Sequence, residues 1–255
     1  MEGCRRPQEG ETLVVTGSST LAPLILQIGR RYEERHPGVR IDVQTGGSAR
    51  GITDARTGVA SAGMVSRRLG AGEADLTAHL VARDGIGLIV HGENPVTSLT
   101  REQVVGIFTG RLTNWQAVGG RAAPITVVNK AEGRSTLELF VHHFGLENAA
   151  IKADVVIGDN EQGVKTVAGN PAAIGYVSIG TAETDIAGGV PIRLLPMDGV
   201  VANTAQVAAG KYPLSRELNL VTRGAPTGAL AAFIAYAQGR EVVDLVGEHA
   251  FVPVR

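Results

Sequence analysis

Residues 12–43 read TLVVTGSSTLAPLILQIGRRYEERHPGVRIDV, and this stretch decides the fold. Its first part, residues 12–16, has the apolar character of a β-strand, and apolar side chains follow at helical spacing over residues 21–35. A Pro37-Gly38 pair ends that helix, and VRIDV at 39–43 alternates as a second strand. This strand–helix–strand order predicts neighbouring parallel strands joined by a crossover helix, the unit of α/β proteins.

The same alternation continues along the chain. A helix at 48–57 and a strand at 61–66 complete a βαβαβ unit, and a long apolar strand at 80–90 ends before Asn94-Pro95. The pattern then predicts helices at 100–108, 135–144, 162–168, 228–238 and 240–249, and strands at 125–128, 155–158, 173–179, 192–196 and 218–222.

The length of 255 residues fits either one large domain or two lobes. If there are two lobes joined by a hinge, residues 11–93 together with 216–255 form lobe one, residues 94–215 form lobe two, and residues 1–10 are a disordered tail. The two C-terminal helices are expected to complete lobe one. Ligands of parallel α/β sheets bind beyond the carboxyl ends of the strands, so the loops there are the first place to look for a site.

Composition narrows the class of protein. Apolar residues make up 44% of the 255 residues and charged residues 19%, which is the balance of a globular protein with an ample core. The net charge of −1 gives no basic face for nucleic acid, so an anion site would have to be local. No apolar run has the length of a membrane-spanning helix.

Three clusters of small polar residues each precede a predicted helix. They are TGSSTLAPL at 16–24, TGGSARGI at 45–52 and NKAEGRSTLELF at 129–140. Backbone N–H groups at a helix start, hydroxyl donors and the positive end of the helix dipole together suit a small anion. Each cluster alone could be an ordinary helix cap or a solvated loop. Three of them suggest several helix starts that converge on one oxyanion.

Catalytic and metal-binding patterns are weak by comparison. His142 and His143 are adjacent on a predicted helix and so point apart, which makes a poor metal pair. Ser, His and Asp do not occur in an arrangement typical of a nucleophilic enzyme. Residues 159–161 (DNE) are interpreted as a cap of the following helix. We therefore expect no catalytic residues, no metal and no cofactor.

The motifs, in their order, resemble the periplasmic phosphate-binding proteins of bacterial phosphate ABC transporters. The resemblance rests on GSSTLAP at 17–23, GGSARGI at 46–52, AGMVSR at 62–67, IFTGRLTNW at 107–115, VVNKAEGRST at 127–136 and PAAIGYV at 171–177. It implies a two-lobed α/β fold of the type II periplasmic-binding-protein kind, whose lobes close around dehydrated phosphate.

The resemblance also assigns candidate ligand-binding residues. It implies contacts from Thr20, from the backbone N–H of Leu21, from Ser48, and from Ser135 and Thr136 in the opposite lobe. Ser19 belongs with the hydroxyls of the first cluster. Lys130 stands where well-known members carry Arg, and Arg134 stands where they carry Ser, so both are candidate cations. The predicted set is Ser19, Thr20, Leu21, Ser48, Ser66, Lys130, Arg134, Ser135 and Thr136.

Ser66 departs from the family pattern in a way that affects selectivity. Well-known members carry an Asp there, which accepts a proton from phosphate and repels fully ionised sulfate. A serine both donates and accepts, so this exclusion should weaken. Arg50 and Arg67 are interpreted as structural, at the rim or paired with Asp54 and Glu132.

The predicted function is a binding protein that captures inorganic phosphate for delivery to the permease subunits of an ABC importer. Alternatives are a receptor for another tetrahedral oxyanion such as sulfate, a phosphate sensor, and a phosphate-ester hydrolase on the same scaffold. The predicted protein is a monomer, lies in the periplasm or outside the cell, and binds no nucleic acid. Cys4, the single cysteine, is either a lipid anchor of a lipoprotein or an ordinary thiol.

Overall fold

A computed structural model describes residues 10–254, and its strands form one mixed sheet. The strands are β1 (Glu11–Gly17), β2 (Val39–Thr45), β3 (Ala62–Val65), β4 (Thr77–His91), β5 (Thr126–Lys130), β6 (Val155–Ile157), β7 (Ala173–Ser178), β8 (Ile192–Leu195), β9 (Ser215–Thr222) and β10 (Val252–Pro253).

Most of the α-helices among these residues were predicted from the sequence, but those at 179–187 and 204–208 were not. The α-helices are α1 (Ala22–Arg35), α2 (Ser48–Thr57), α3 (Arg101–Phe108), α4 (Ser135–Phe144), α5 (Asn160–Ala168), α6 (Ile179–Ala187), α7 (Thr204–Ala208), α8 (Gly228–Ala237) and α9 (Val243–Glu248). The predicted final helix divides into a 3₁₀ turn at 240–242 and α9.

The order of strands in the sheet is β2-β1-β3-β9-β4-β7-β5-β6, with β8 and β10 also paired to β4. β1 runs parallel to β2 and β3, so the parallel βαβαβ unit is confirmed. β9 is antiparallel to both of its neighbours, β3 and β4. The first part of β4 pairs with β9, and the later part pairs with β7 and β8. β4 therefore links the two halves of the sheet.

Hydrophobic packing divides the molecule into two lobes. The first lobe is the part packed around a core of residues between 13–82 and 218–251, which includes Phe233 and Leu245 from the C-terminal helices. The second lobe is packed around core residues between 86 and 214, including the stacked rings of Phe140 and Tyr176. The fold is thus the predicted two-lobed α/β architecture, and the C-terminal helices complete the first lobe as expected.

The lobes join where β4 and β9 cross from one core to the other. Asp84 pairs with Arg216 in the register of these strands, and Gly85 pairs with Ser215. Core packing changes between residues 82 and 86 in β4 and between 214 and 218 at the start of β9. The sequence boundary between residues 93 and 94 lies beyond the first of these changes and stays a prediction. The disordered tail predicted for residues 1–10 lies, except for Gly10, outside the described residues.

Strand ends from both lobes meet at the cleft between them. The carbonyl oxygen of Gly17, at the end of β1, accepts N–H groups from Gly46 and Gly47, each at 2.9 Å. Gly17 has φ +129°, and a Cβ there would lie 2.4 Å from the carbonyl oxygen of Met64. This close approach requires glycine, and it holds the first two polar loops side by side.

Candidate functional site

A buried arginine lies where the two lobes meet. The side chain of Arg216 is 0% exposed, and its guanidinium contacts hydroxyls from both lobes. Nη1 lies 2.9 Å from Thr136 Oγ1 of the second lobe, and Nη2 lies 3.3 Å from Thr20 Oγ1 of the first. Ser66 Oγ is 3.5 Å from Nη1. We call Arg216 and the hydroxyls of Thr20, Ser48, Ser66, Ser135 and Thr136 the Arg216 cluster.

Asp84 fixes the direction of the Arg216 guanidinium. Its Oδ2 accepts hydrogen bonds from Arg216 Nε at 2.9 Å and Nη2 at 2.6 Å. Its Oδ1 accepts the backbone N–H of Gly180, at the start of α6, at 3.3 Å. Both carboxylate oxygens therefore take part in holding this arrangement. A buried charge pair of this kind is a poor source of stability but a precise means of orienting a guanidinium.

Two further serines complete the cluster. Ser48, the first residue of α2, accepts the backbone N–H of Ser66 at 3.2 Å, and the two Oγ atoms are 3.5 Å apart. Ser135, the first residue of α4, has a buried Oγ without a hydrogen-bond partner among the residues described. A buried hydroxyl without a partner costs free energy, and an anion oxygen would satisfy it.

The helix starts explain why these hydroxyls converge. α2 begins directly after the loop that follows β2, and α4 begins four residues after β5 ends, so both point their N-termini at the cleft. No side-chain cap binds the first N–H groups of either helix. Backbone oxygens accept the N–H groups of Ala49 and Leu137 in these first turns, but the positive dipole end still favours negative charge at both helix starts.

Lys130 is buried but does not reach the hydroxyls. Its Nζ donates to the backbone oxygen of Asp159 at 2.7 Å and to Asn160 Oδ1 at 3.0 Å. Burial, opposed by Asp159 and assisted by Arg216 and Arg134, lowers the pKa of Lys130 to about 7. Asn160 therefore separates Lys130, the cation predicted from the sequence, from the cluster. The role of Lys130 as a direct ligand stays a prediction.

The remaining predicted ligands lie at the edge of the cluster. Arg134, half-buried, extends over Gly47 of the first lobe and approaches Gly158 with Nη2. Ser19 lines a groove of about 350 Å³ together with Asn160 and Thr181. The backbone N–H of Leu21 lies 3.4 Å from Ser18 Oγ, which caps the turn before α1. Their predicted contacts with a ligand remain predictions.

Structural roles account for the rim arginines. Arg50 pairs with Asp54 at 3.1 Å, as expected. Arg67 pairs with Glu73 at 2.7 Å and with Glu138 of α4 at 2.6 Å, so the expected partner Glu132 is wrong. Arg67 and Glu73 come from the first lobe and Glu138 from the second.

A backbone contact also closes the rim. The N–H of Ala49 donates to the carbonyl oxygen of Gly133 across the cleft at 3.2 Å. Together with the Arg67–Glu138 ion pair, it holds the second and third polar loops against each other. The structure is thus in a state with the two lobes in direct contact over the Arg216 cluster.

Arg216, Asp84 and Asn160 were not predicted from the sequence as residues of the site. Arg216 lies in SREL at the start of β9, with no glycine or hydroxyl motif beside it. The available signal was weak: Asp84 and Arg216 each lie next to an apolar run, and a charge that becomes buried needs a partner. Asp159 caps α5 by accepting the N–H of Gln162 at 2.8 Å, as interpreted, but the neighbouring Asn160 faces the cleft.

Other site types find little support in residues 10–254. No group of three or more His, Cys, Asp or Glu side chains there is placed to hold a metal ion, and no helix there has the length and apolar character to cross a membrane. Cys4 lies outside the described residues.

Comparison with known proteins identifies the family. The PBP superfamily domain matches residues 5–241. A crystal structure from Clostridium perfringens, of a protein assigned as a phosphate ABC transporter substrate-binding protein and holding bound phosphate, is 30% identical and superposes with a TM-score of 0.87 over 96% of this chain and 100% of that one.

Two further relatives are named as phosphate-binding or phosphate transport proteins. The Bacillus subtilis phosphate-binding protein PstS is 28% identical over 95% of this chain and 81% of its own length. An ABC-type phosphate transport receptor from Vibrio cholerae is 28% identical, with a TM-score of 0.77 over 95% of this chain and 100% of that one. The family predicted from the motifs is confirmed: this chain belongs to the PBP superfamily, among the substrate-binding proteins of phosphate ABC transporters.

Proposed function

We propose that this protein captures inorganic phosphate between its two lobes and delivers it to the permease of an ABC importer. The Arg216 cluster is the proposed binding site. The observation that carries the proposal is the convergence of one buried guanidinium with the hydroxyls of Thr20 and Thr136, one from each lobe. Ser135, the residue before Thr136, has a buried Oγ that lacks a hydrogen-bond partner among the described residues.

The chemistry of the cluster suits a tetrahedral oxyanion. Its members are donors that approach from several directions, and a tetrahedral anion has four oxygens to accept from them. Burial strengthens each of these hydrogen bonds because water no longer competes. Closure of the lobes would remove the hydration shell of the anion, and the fixed N–H and O–H dipoles would replace it.

Sulfate is a second candidate ligand, because the hydroxyls of the cluster are directed to donate hydrogen bonds. Thr136 Oγ1 accepts from Arg216, Ser48 Oγ accepts from the N–H of Ser66, and Thr20 Oγ1 accepts from Arg216 and Asn160. These hydroxyls are therefore directed to donate. Asp84 Oδ2 already accepts two hydrogen bonds from Arg216, and Oδ1 accepts one from Gly180. A site built of donors gives little preference for an anion that carries a proton, so we propose weak discrimination between phosphate and sulfate.

Calorimetric titration of ligand-stripped protein with phosphate and then with sulfate tests this function. The proposal predicts saturable phosphate binding with one site per chain, and measurable sulfate binding at the same site. Phosphate binding without sulfate binding would exclude sulfate as a ligand. It would also require a proton acceptor that the Arg216 cluster does not provide. Binding of neither anion would overturn the proposed function.

The receptor role is proposed in preference to an enzyme. The relatives of this chain are named as binding proteins, and the carboxylate of Asp84 accepts hydrogen bonds from Arg216 and Gly180. Incubation with a chromogenic phosphate ester tests the alternative. Turnover that persists after rigorous purification, and that disappears in an Arg216→Met variant, would support a hydrolase instead.

Location and anchoring follow from the transport role. We propose that the protein is a monomer that works outside the cytoplasmic membrane and is anchored there by a lipid on Cys4. Fatty-acid labelling in the native cells, with Cys4→Ser as the control, tests the anchor. Label in the native protein alone would support it, and no label in either would contradict it.

A further inference from the structure

A line of hydrogen bonds leads from Lys130 to the Arg216 cluster across the lobe boundary. Lys130 Nζ donates to Asn160 Oδ1 at 3.0 Å, and Asn160 Nδ2 donates to Thr20 Oγ1 at 3.1 Å. Lys130 and Asn160 belong to the second lobe and Thr20 to the first. All three are at least 95% buried, so water does not replace any of these bonds cheaply.

Lys130 determines which way the Asn160 amide faces. Below its pKa of about 7, Lys130 is an ammonium with donors only, so the atom 3.0 Å from it must be the amide oxygen. The backbone N–H of Ser178 lies 3.5 Å from the same oxygen and favours the same orientation. The amide nitrogen then faces the hydroxyls of Thr20 at 3.1 Å and Thr181 at 3.4 Å. The reversed amide would bring two donors against Lys130 and leave its ammonium short of an acceptor.

Two neighbouring donors fix the direction of the Thr20 hydroxyl proton. A hydroxyl has two lone pairs and one proton. Thr20 Oγ1 receives one N–H from Asn160 and one from Arg216 Nη2 at 3.3 Å, which occupies both lone pairs. Neither neighbour can accept from it, because both present nitrogen donors. The hydroxyl proton of Thr20 is left to point into the cleft.

We infer that Lys130 and Asn160 are positioning residues that force the Thr20 hydroxyl to donate to the bound oxyanion. The inference rests on the proposed function, since it names what prepares one donor of that site. It gives Lys130 a role other than direct contact with the anion. Because Asn160 and Thr20 lie in different lobes, the donor acquires its direction only when the lobes close.

The test measures how much phosphate affinity the change Thr20→Val removes in three backgrounds: the native protein, Asn160→Asp and Lys130→Met. In Asn160→Asp, the carboxylate keeps Lys130 but accepts the Thr20 proton, so this hydroxyl no longer donates to the anion. In Lys130→Met, the Asn160 amide is released to turn its oxygen toward Thr20. Changes of charge in a background cancel, because each comparison is made within that background.

We expect Thr20→Val to weaken phosphate binding roughly tenfold in the native protein, as for a hydrogen bond to a charged group. It should cost less than about twofold in Asn160→Asp, and clearly less than tenfold in Lys130→Met. Thr181→Val is the matched control, because Thr181 also faces Asn160 but does not contact Arg216. It should leave affinity unchanged within about twofold in all three backgrounds.

A full tenfold loss in every background would overturn the inference, because Lys130 and Asn160 would then act independently of Thr20. Thermal unfolding of each variant confirms that it is folded before titration, and Asn160→Asp provides the test by itself if Lys130→Met does not fold. Failure of the proposed function is distinguishable, because the native protein would then bind no phosphate at all.

Discussion

Arg216 and Lys130 are both buried cations near the cleft, but they have different surroundings. Arg216 is held by a carboxylate, Asp84, and faces the hydroxyls of both lobes. Lys130 is held by a backbone oxygen and an amide oxygen, and Asn160 separates it from Thr20. The first cation can share its hydrogen bonds with a ligand, whereas the second has its donors committed to the protein.

The difference shows what a carboxylate partner does for a buried charge. Arg216 has an ionised neighbour that compensates its charge in the low dielectric. Lys130 has neutral oxygens as its direct partners, and its pKa falls to about 7. A guanidinium with a fixed carboxylate remains a cation at every physiological pH, which suits a permanent anion site.

The largest effect is expected from Arg216→Lys. This change keeps the charge but removes the fork that joins Asp84 to the hydroxyls, so we expect phosphate affinity to fall by about 3 kcal/mol, or roughly a hundredfold. Calorimetric titration measures it. Arg68→Lys is the matched control, because the Arg68 side chain is 83% exposed and pairs with Glu217 outside the cluster. Equal affinity in the two variants would show that Arg216 does not hold the anion.

The second prediction concerns the stability of the ligand-stripped protein between pH 7 and 9. The pKa of Lys130 is about 7 when folded and 10.5 ordinarily, so in this window the unfolded chain binds a proton that the folded protein lacks. Stability therefore rises with pH, by roughly 2 kcal/mol over the window. Groups facing Lys130 include Arg216, Arg134, Asp159 and Glu161.

Urea unfolding at several pH values checks this slope, with Lys130→Met as the comparison. The variant should lose most of the rise between pH 7 and 9. Burial raises the pKa of Tyr176 and Tyr212, but these groups ionise in the unfolded chain only near pH 10, outside the window. An identical slope in both proteins would mean that Lys130 stays charged in the fold.

A smaller effect is expected from Ser66→Asp. Ser66 Oγ lies 3.5 Å from Arg216 Nη1, so a carboxylate there would face the bound anion. Phosphate can donate a proton to it and sulfate cannot, so we expect the ratio of phosphate to sulfate affinity to rise about tenfold. Competition between the two anions on one sample gives the ratio directly. A ratio that stays the same would show that residue 66 does not face the ligand.

The smallest effect is expected at the rim. Glu138→Gln removes the ion pair with Arg67 between the lobes, in which the Glu138 side chain is 38% exposed. Exposed pairs contribute about 0.2–1 kcal/mol, so phosphate affinity should fall less than about fivefold, and less again at high salt. Dissociation rates at low and high salt test this. A loss comparable to that of Arg216→Lys would place the decisive charge at the rim instead.

The sequence predicted the fold well because the fold depends on local patterns. The bounds of α2 and α4 were predicted to the residue, since Gly47 precedes α2, the hydroxyl residues Ser135 and Thr136 begin α4, and apolar spacing continues through both helices. The strands of the first lobe were equally clear. The extension of β4 to Thr77 and the crossing at Asp84 were less so, because they depend on pairing with the distant strand β9.

The candidate site was predicted in part. Thr20, Ser48, Ser66, Ser135 and Thr136 were expected and lie in the cluster. Arg216 is 196 residues from Thr20 in sequence, and only the register of β4 against β9 brings it to the cleft. Lys130 was predicted as a ligand-binding residue because it lies in a motif. A motif does not reveal which of its side chains bond to the protein instead of facing the ligand.

A crystal structure of the arsenate complex tests whether the Arg216 cluster binds the anion, because arsenate is a tetrahedral oxyanion whose arsenic scatters anomalously. We expect one strong anomalous peak inside the Arg216 cluster, with oxygens in hydrogen-bond contact with Arg216, Thr20 and Thr136. A peak beside Lys130 and Arg134, with the Arg216 cluster left empty, would contradict it.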